Sequence, residues 1–252
     1  MGSLFNGLLV FLRAGALLSV FPVFSGANFP AQLRVALAAG TALLVAPLVP
    51  TVPLPTDFWG VAGVMVCELG FGLLLGFVSR MVFYSLEIAG GLAATEIGLM
   101  MPAGINPMSS ANVSELATIL QYLAAMLFLS LNVHHSLLVA FQRSYTFLPI
   151  GGGHLHESLL FDVAGRTAHL FWFALQVAAP VLAVTFLVTM VFALLSRAVP
   201  QMNVFSENFS MRLLTGLLVL GVTCQLMAQH IASFLQRLPT DVLRVAQLLG
   251  AQ

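Results

Sequence analysis

The residues of this chain that could do chemistry are few, and most stand among apolar neighbours. His154 and His156, preceded by Gly151-Gly152-Gly153 and followed by Glu157, alternate as ligands in a loop metal site could. Two imidazoles and one carboxylate in a glycine-rich loop fall short of the fixed four-ligand spacing of a structural zinc site, and no metal is assigned to them. His134 and His135 follow Asn132 in an apolar stretch, where hydrogen-bonded packing is the expected role. Glu68, Arg80 and Glu87 share one long apolar segment. A charge facing lipid costs about 2.5–3.5 kcal/mol, so these three are expected to face other protein. Arg80 and Glu87 share a helix face but lie two turns apart, too far to pair directly. The chain contains no Gly-x-Ser-x-Gly, no phosphate loop, no His-Glu-x-x-His and no carboxylate pair at a useful spacing. No catalytic residue and no cofactor is predicted.

The elements that carry these residues are those of a membrane protein. Of 252 residues, 60% are hydrophobic and 7% charged, against about 25% charged in a soluble domain. Nine Arg balance nine acidic residues, and Lys is absent. That balance excludes a nucleic-acid footprint and a polybasic membrane patch. Cys67 and Cys224 lie far apart in apolar stretches and form no disulfide framework. Apolar runs near or above the ~20 residues that cross a bilayer predict six helical regions: 4–24, 33–50, 58–88, 115–142, 167–196 and 212–235. None shows period-2 alternation, so the fold class is all-α rather than a β-barrel. Ser25-Gly26-Ala27 resembles a cleavage site, but Arg13 interrupts the apolar run before it, and the first region is expected to be retained. Arginines flank both sides of a six-pass arrangement, and the positive-inside rule gives no orientation.

Within these regions Pro22, Pro30, Pro47, Pro180 and Pro200 each remove a backbone donor, and Gly72 with Gly76 forms a small-xxx-small pair that admits another helix closely. Residues 90–112 are dense in Gly and Pro and are expected to form a loop, yet an apolar one, with Met100, Met101, Ile105 and Met108. Met repacks readily around different partners. Such a loop suits a deformable seal, and equally a loop buried against neighbouring subunits.

Three stretches together carry a family resemblance. They are Ile88-Ala89-Gly90-Gly91 with Ile97-Gly98-Leu99 and Asn106-Pro107; Leu127-Phe128-Leu129 with Asn132, His134 and Phe147-Leu148-Pro149-Ile150-Gly151; and Arg197-Ala198-Val199-Pro200-Gln201-Met202-Asn203-Val204-Phe205. With the six apolar regions, the whole chain resembles the FliR/SctT family of type III export-gate proteins. The resemblance implies a single-copy gate subunit, assembled with several copies each of FliP and FliQ, with FlhB and the rest of the export apparatus, into a closed helical channel for unfolded exported proteins. It implies an inner-membrane, multi-pass protein of the flagellar basal body, in contact with lipid and not with nucleic acid. It further implies a FliP-like part over 1–165 and a FliQ-like helical hairpin over 166–252, with many apolar helices held by neighbouring subunits partly outside the bilayer.

The family's plug matches about 100–113, which raises the seal reading for Met100, Met101, Pro102, Ile105, Asn106, Pro107 and Met108. By the same resemblance Arg197, Pro200, Gln201, Met202, Asn203 and Phe205 form the family motif and a subunit contact. The equivalent subunit of a virulence system is the alternative. A secondary transporter would need an internal inverted repeat, and none is seen. Two departures stand out: Ser206-Glu207-Asn208-Phe209-Ser210 replaces a Gly-Phe-Pro-type turn, and Val133 stands where Gly is frequent. Ser206 or Asn208 is expected to cap a helix beginning near Ser210.

Overall fold

The structure, a computed structural model, describes residues 2–26, 29–51, 57–99, 114–153, 157–199 and 203–250. All regular structure among them is helical. Helix α1 (Gly2–Val20) stops at Phe21, which is extended (φ −65°, ψ 123°) ahead of Pro22. A residue before proline is pushed out of the helical region, and Pro22 then opens α2 (Pro22–Ser25) where its missing N–H is not needed. Helix α3 (Ala31–Val45) follows the extended Pro30 and tightens into a 3₁₀ turn, Ala46–Leu48, that contains Pro47. The expected regions 4–24 and 33–50 are therefore helical but punctuated by their prolines.

The later helices differ from the expected regions in their bounds. Helix α4 (Phe58–Ile97) runs straight through Gly90-Gly91, so the expected loop over 90–112 starts only after Ile97. Each helical Gly costs about 1 kcal/mol relative to Ala. At Gly90 the cost is offset by close packing, because a Cβ there would enter the Ala117 backbone. The single region 115–142 is two helices, α5 (Glu115–Ser130) and α6 (Val133–Phe147), bent by 73° at the break. Asn132 makes the break in the left-handed conformation (φ 55°, ψ 26°), which Asn tolerates better than other non-glycine residues. Helices α7 (Glu157–Ala198) and α8 (Val204–Gly250) are 42 and 47 residues long, with Pro180 and Pro239 inside them. The end of α8 escapes a hydropathy reading because its other faces are polar. Its buried Leu235, Leu238, Val242, Val245, Ala246 and Leu249 recur at helical spacing.

The start of α8 is a second correction. It begins at Val204, so Ser206 and Asn208 lie inside the helix and cap nothing; Ser206 Oγ donates back to the Asn203 carbonyl (3.1 Å). By length and composition α3 with its 3₁₀ turn, α4, α7 and most of α8 could each cross a membrane, and the bent α5–α6 pair could make a fifth crossing.

The chain divides into two compact units, one of residues 1–82, 128–167 and 234–252, the other of 83–127 and 168–233. The first holds α1–α3, the start of α4, α6, the start of α7 and the end of α8. Its core includes Leu9, Val10, Phe21, Leu75, Phe128, Leu148 and Leu235. The second holds the end of α4, most of α5, α7 from residue 168 to its end and α8 from its start to residue 233, with Leu86, Ile97, Ala124, Val181 and Ile231 buried.

Candidate functional site

In the first unit the small residues of α4 decide where its carboxylate goes. Glu68, Gly72 and Gly76 are four apart and lie on one face. A Cβ at Gly72 would run into the Arg13 carbonyl oxygen and stand 2.7 Å from Ala16 Cβ; one at Gly76 would stand 2.9 Å from the Leu17 carbonyl oxygen and 3.0 Å from Val20 Cβ. With no Cβ at either position, α1 lies against the α4 backbone and carries Arg13 onto Glu68. Arg13 Nε donates to Glu68 Oε2 (2.6 Å) and Nη2 to Oε1 (2.9 Å), a forked pair whose side chains are both 0% exposed.

Burying two charges costs several kcal/mol per ion, which good geometry and further hydrogen bonds repay. Here each nitrogen and oxygen of the two charged groups has a partner. Arg13 Nη1 donates to the Leu148 carbonyl (3.2 Å) and the Gly151 N–H donates to Glu68 Oε1 (3.1 Å). The guanidinium also lies 4.0 Å from the Tyr145 ring centre and 5.7 Å from that of Phe71. The turn after α6, Leu148-Pro149-Ile150-Gly151, thus binds both charges, with Gly151 at φ +70°, a conformation that a side chain would strain. The sequence alone predicts that Glu68 faces other protein; it faces its own chain. The sequence signal for its partner is there to be read: Arg13 is the one charge in the first apolar region, opposite in sign to Glu68. Glu87, in the second unit, accepts from Gln121 Nε2 on α5 (3.3 Å), and Arg80 is half-buried.

The second unit holds both roots of the apolar segment 100–113. Helix α4 ends in a Schellman motif: Gly98 has φ +89°, its N–H donates to the Thr95 carbonyl (3.2 Å), and the Leu99 N–H donates to that of Ala94 (2.9 Å). Three residues of one face of α8 grip this end. The Phe209 ring covers Gly98, Arg212 Nη2 donates to Glu96 Oε2 (2.7 Å), and Gly216 accommodates Ile97, whose Cγ1 would stand 2.5 Å from a Cβ at 216. At the other root Ser114 precedes α5 and its Oγ accepts from the Ala117 N–H (3.4 Å).

Met100, Met101, Pro102, Ile105, Asn106, Pro107 and Met108 lie outside the described residues, as do Pro200, Gln201 and Met202 and the histidines His154 and His156. Arg197 is exposed in the last turn of α7, where its charge complements the negative end of the helix. Asn203 precedes α8 and its carbonyl accepts from the Glu207 N–H (3.4 Å); Phe205 is in the first turn of α8. Among the described residues no group of His, Cys, Asp or Glu could hold a metal ion.

The chain is 27% identical over 241 residues to the flagellar biosynthetic protein FliR of Escherichia coli K12, covering 94% of this chain and 92% of the relative. It is equally 27% identical to the protein of the same name from Bacillus subtilis 168, covering 85% and 84%. The Yop proteins translocation protein T of Yersinia pestis is 28% identical over 79% of this chain and 77% of its own length. The family described as bacterial export proteins, family 1, matches residues 4–238, and this chain belongs to that family of non-enzymatic type III export components.

Proposed function

We propose that this chain is a single-copy, channel-forming subunit of a flagellar type III protein export gate, assembled with FliP and FliQ chains in the inner membrane at the basal body. The family match over 4–238 carries the reading. The lengths of its helices support assembly with other chains. At 1.5 Å per residue α7 and α8 are about 63 and 70 Å long, against a hydrocarbon core of ~30 Å. Exposed apolar residues run from Leu160 on α7 through Phe171, Phe186 and Leu194 to Val199 just past its end, a span of about 60 Å. Lipid covers half of that at most, and apolar helices of partner chains are the natural cover for the rest.

On this reading residues 100–113 form an apolar seal that a passing unfolded chain displaces, by steric and dewetting means rather than by chemistry. The FliP-like part is 1–165 and the FliQ-like hairpin is 166–252, which sets the boundary inside α7. FlhB, the rest of the apparatus, membrane lipid and unfolded exported proteins are the contacts, and energy comes from partners and the membrane gradient.

The equivalent place in a virulence secretion system is the second reading, favoured by the Yersinia relative. It ranks second because the flagellar relative from Escherichia coli covers more of the chain. The test is the native mass of the gently solubilised protein, expressed alone and then with FliP and FliQ. One copy in a complex of several partner chains is expected; a stable monomer or homodimer that ignores both partners overturns the assignment.

A further inference from the structure

The first unit is built from three stretches of chain, and its last stretch, 234–252, follows every residue of the second unit. That stretch seats on the turn that serves the buried pair. A Cβ at Gly250 would run into the Phe147 carbonyl oxygen and stand 3.3 Å from the Leu148 nitrogen. The Leu148 carbonyl accepts from Arg13 Nη1, and the Gly151 N–H of the same turn donates to Glu68 Oε1. On the α4 side the turn is equally close, since a Cβ at Gly153 would run into the Phe71 ring. The turn is therefore held between α4 and the last turn of α8. Leu238, Val242, Val245 and Leu249 form the seated face of α8 and are at most 1% exposed. The ion pairs Arg166–Asp241 and Asp162–Arg244 tie the same segment to the start of α7.

Pro239 lies inside α8 between the part that belongs to the second unit, ending at 233, and the seat at Gly250. It has no N–H to give the Leu235 carbonyl, and a proline is the usual place for a helix to bend. Opening there uncovers apolar surface, but it also frees two charges. Water can take the place of the Leu148 carbonyl and the Gly151 N–H on Arg13 and Glu68, which offsets part of the cost. Proteins open in such sub-global units, each with its own free energy. We infer that residues 240–250 are a latch: hinged at Pro239, they hold the turn 148–151 onto the Arg13–Glu68 pair, and their release opens the first unit while the second stays folded.

The experiment is amide hydrogen exchange on the purified full chain in detergent, followed in two peptides. Residues 147–153 report the turn in the first unit, and residues 116–127 report α5 in the second. Leu249→Ala removes buried apolar atoms without adding any, Gly250→Leu forces α8 off the Phe147 carbonyl, and Pro239→Ala restores the missing helical hydrogen bond. Leu249→Ala and Gly250→Leu should speed exchange at 147–153 severalfold and leave 116–127 as in wild type. Pro239→Ala should slow exchange at 147–153. An equal rise in both peptides would mean that the chain opens only as a whole, and the latch would be overturned. So would unchanged exchange at 147–153 in folded Leu249→Ala protein, which decides the matter should Gly250→Leu fail to fold. Faster exchange at 147–153 in Pro239→Ala would show that the proline fixes the seated shape of α8, and the hinge would be lost.

Discussion

The first unit joins α1 to α4 through Arg13 and Glu68, and the second joins α4 to α8 through Glu96 and Arg212. Both are Arg–Glu pairs with distances of 2.6–2.7 Å, but one is 0% exposed on both sides and the other 41% and 25% on its Glu and Arg. The buried pair adds a carbonyl, a backbone N–H and two rings to its mutual bonds, so that none of its nitrogens or oxygens lacks a partner, whereas the other leaves Arg212 Nε without one. Exposure therefore divides the roles. Where water cannot reach, an unmade bond to a charge lowers stability, and each nitrogen and oxygen of the two buried charged groups has a partner. The Glu96 carboxylate, 41% exposed, keeps part of its hydration, and that pair is held by one direct hydrogen bond.

The largest effect follows from the buried pair. Arg13→Ala or Glu68→Ala leaves an uncompensated buried charge, which costs about 3–5 kcal/mol. Each should abolish or sharply reduce the yield of folded protein and lower its melting temperature in detergent. The double replacement Arg13→Leu with Glu68→Met removes both charges and should melt above either single variant. Single variants that melt like wild type would show that burial does not distinguish the two pairs.

Next comes the close approach that makes the pair possible. Gly72→Leu must drive α1 off the α4 backbone, since even a Cβ there enters the Arg13 carbonyl oxygen. Gly76→Leu meets its first atoms at 2.9–3.0 Å and should be milder, and Gly63→Leu, with nothing within 4 Å, milder still. The order of melting temperatures, 72 below 76 below 63, is the expected result. Equal values would mean that α1 does not lie where Arg13 requires.

How much of this can be read in the sequence depends on whether the signal is local. Apolar runs of ~20 residues announce an all-helical membrane chain, and prolines 22, 30 and 47 announce their own interruptions. Gly90-Gly91 misleads, because glycine in a helix is excused by what packs on it, and Ala117 is distant in sequence. The bend at Asn132 is marked only by a short polar stretch, Asn132 with His134, His135 and Ser136, inside a run with no Asp, Glu, Lys or Arg. The partner of Glu68 is hidden for the same reason, 55 residues away, though the opposed single charges hint at it. The grip on the end of α4 needs three residues of α8 in register with three of α4, a pattern visible only once both helices have bounds.

An intermediate case sharpens the comparison within the first unit. Asp162 accepts from Arg166 Nε (2.6 Å) and forms an ion pair with Arg244, whose Nε stands 3.0 Å from Oδ1, and Arg166 also reaches Asp241 (2.7 Å). Asp162 and Arg166 are 10% and 15% exposed, whereas Arg244 is 67% exposed. A largely buried charge-assisted hydrogen bond is worth about 1.5–3 kcal/mol, so Asp162→Asn should lose about that much. Arg244→Gln should lose little. A loss at Arg244 equal to that at Asp162 would mean that exposure does not set the scale.

The smallest effect on stability belongs to Glu96 and Arg212. Exposed pairs contribute about 0.2–1 kcal/mol, so Glu96→Gln should move the melting temperature barely at all. Salt separates the two pairs further, because a partly exposed pair is screened while a dry one is not. Raising the salt concentration should erase the small difference between wild type and Glu96→Gln and leave the large difference between wild type and Arg13→Ala. If salt instead left the Glu96 difference intact, that pair would be drier than its exposure implies, and Arg212 would be a structural tie like Arg13. If salt erased the Arg13 difference, water would reach the first unit's core and the filled hydrogen bonds around Glu68 would not be needed to hold it.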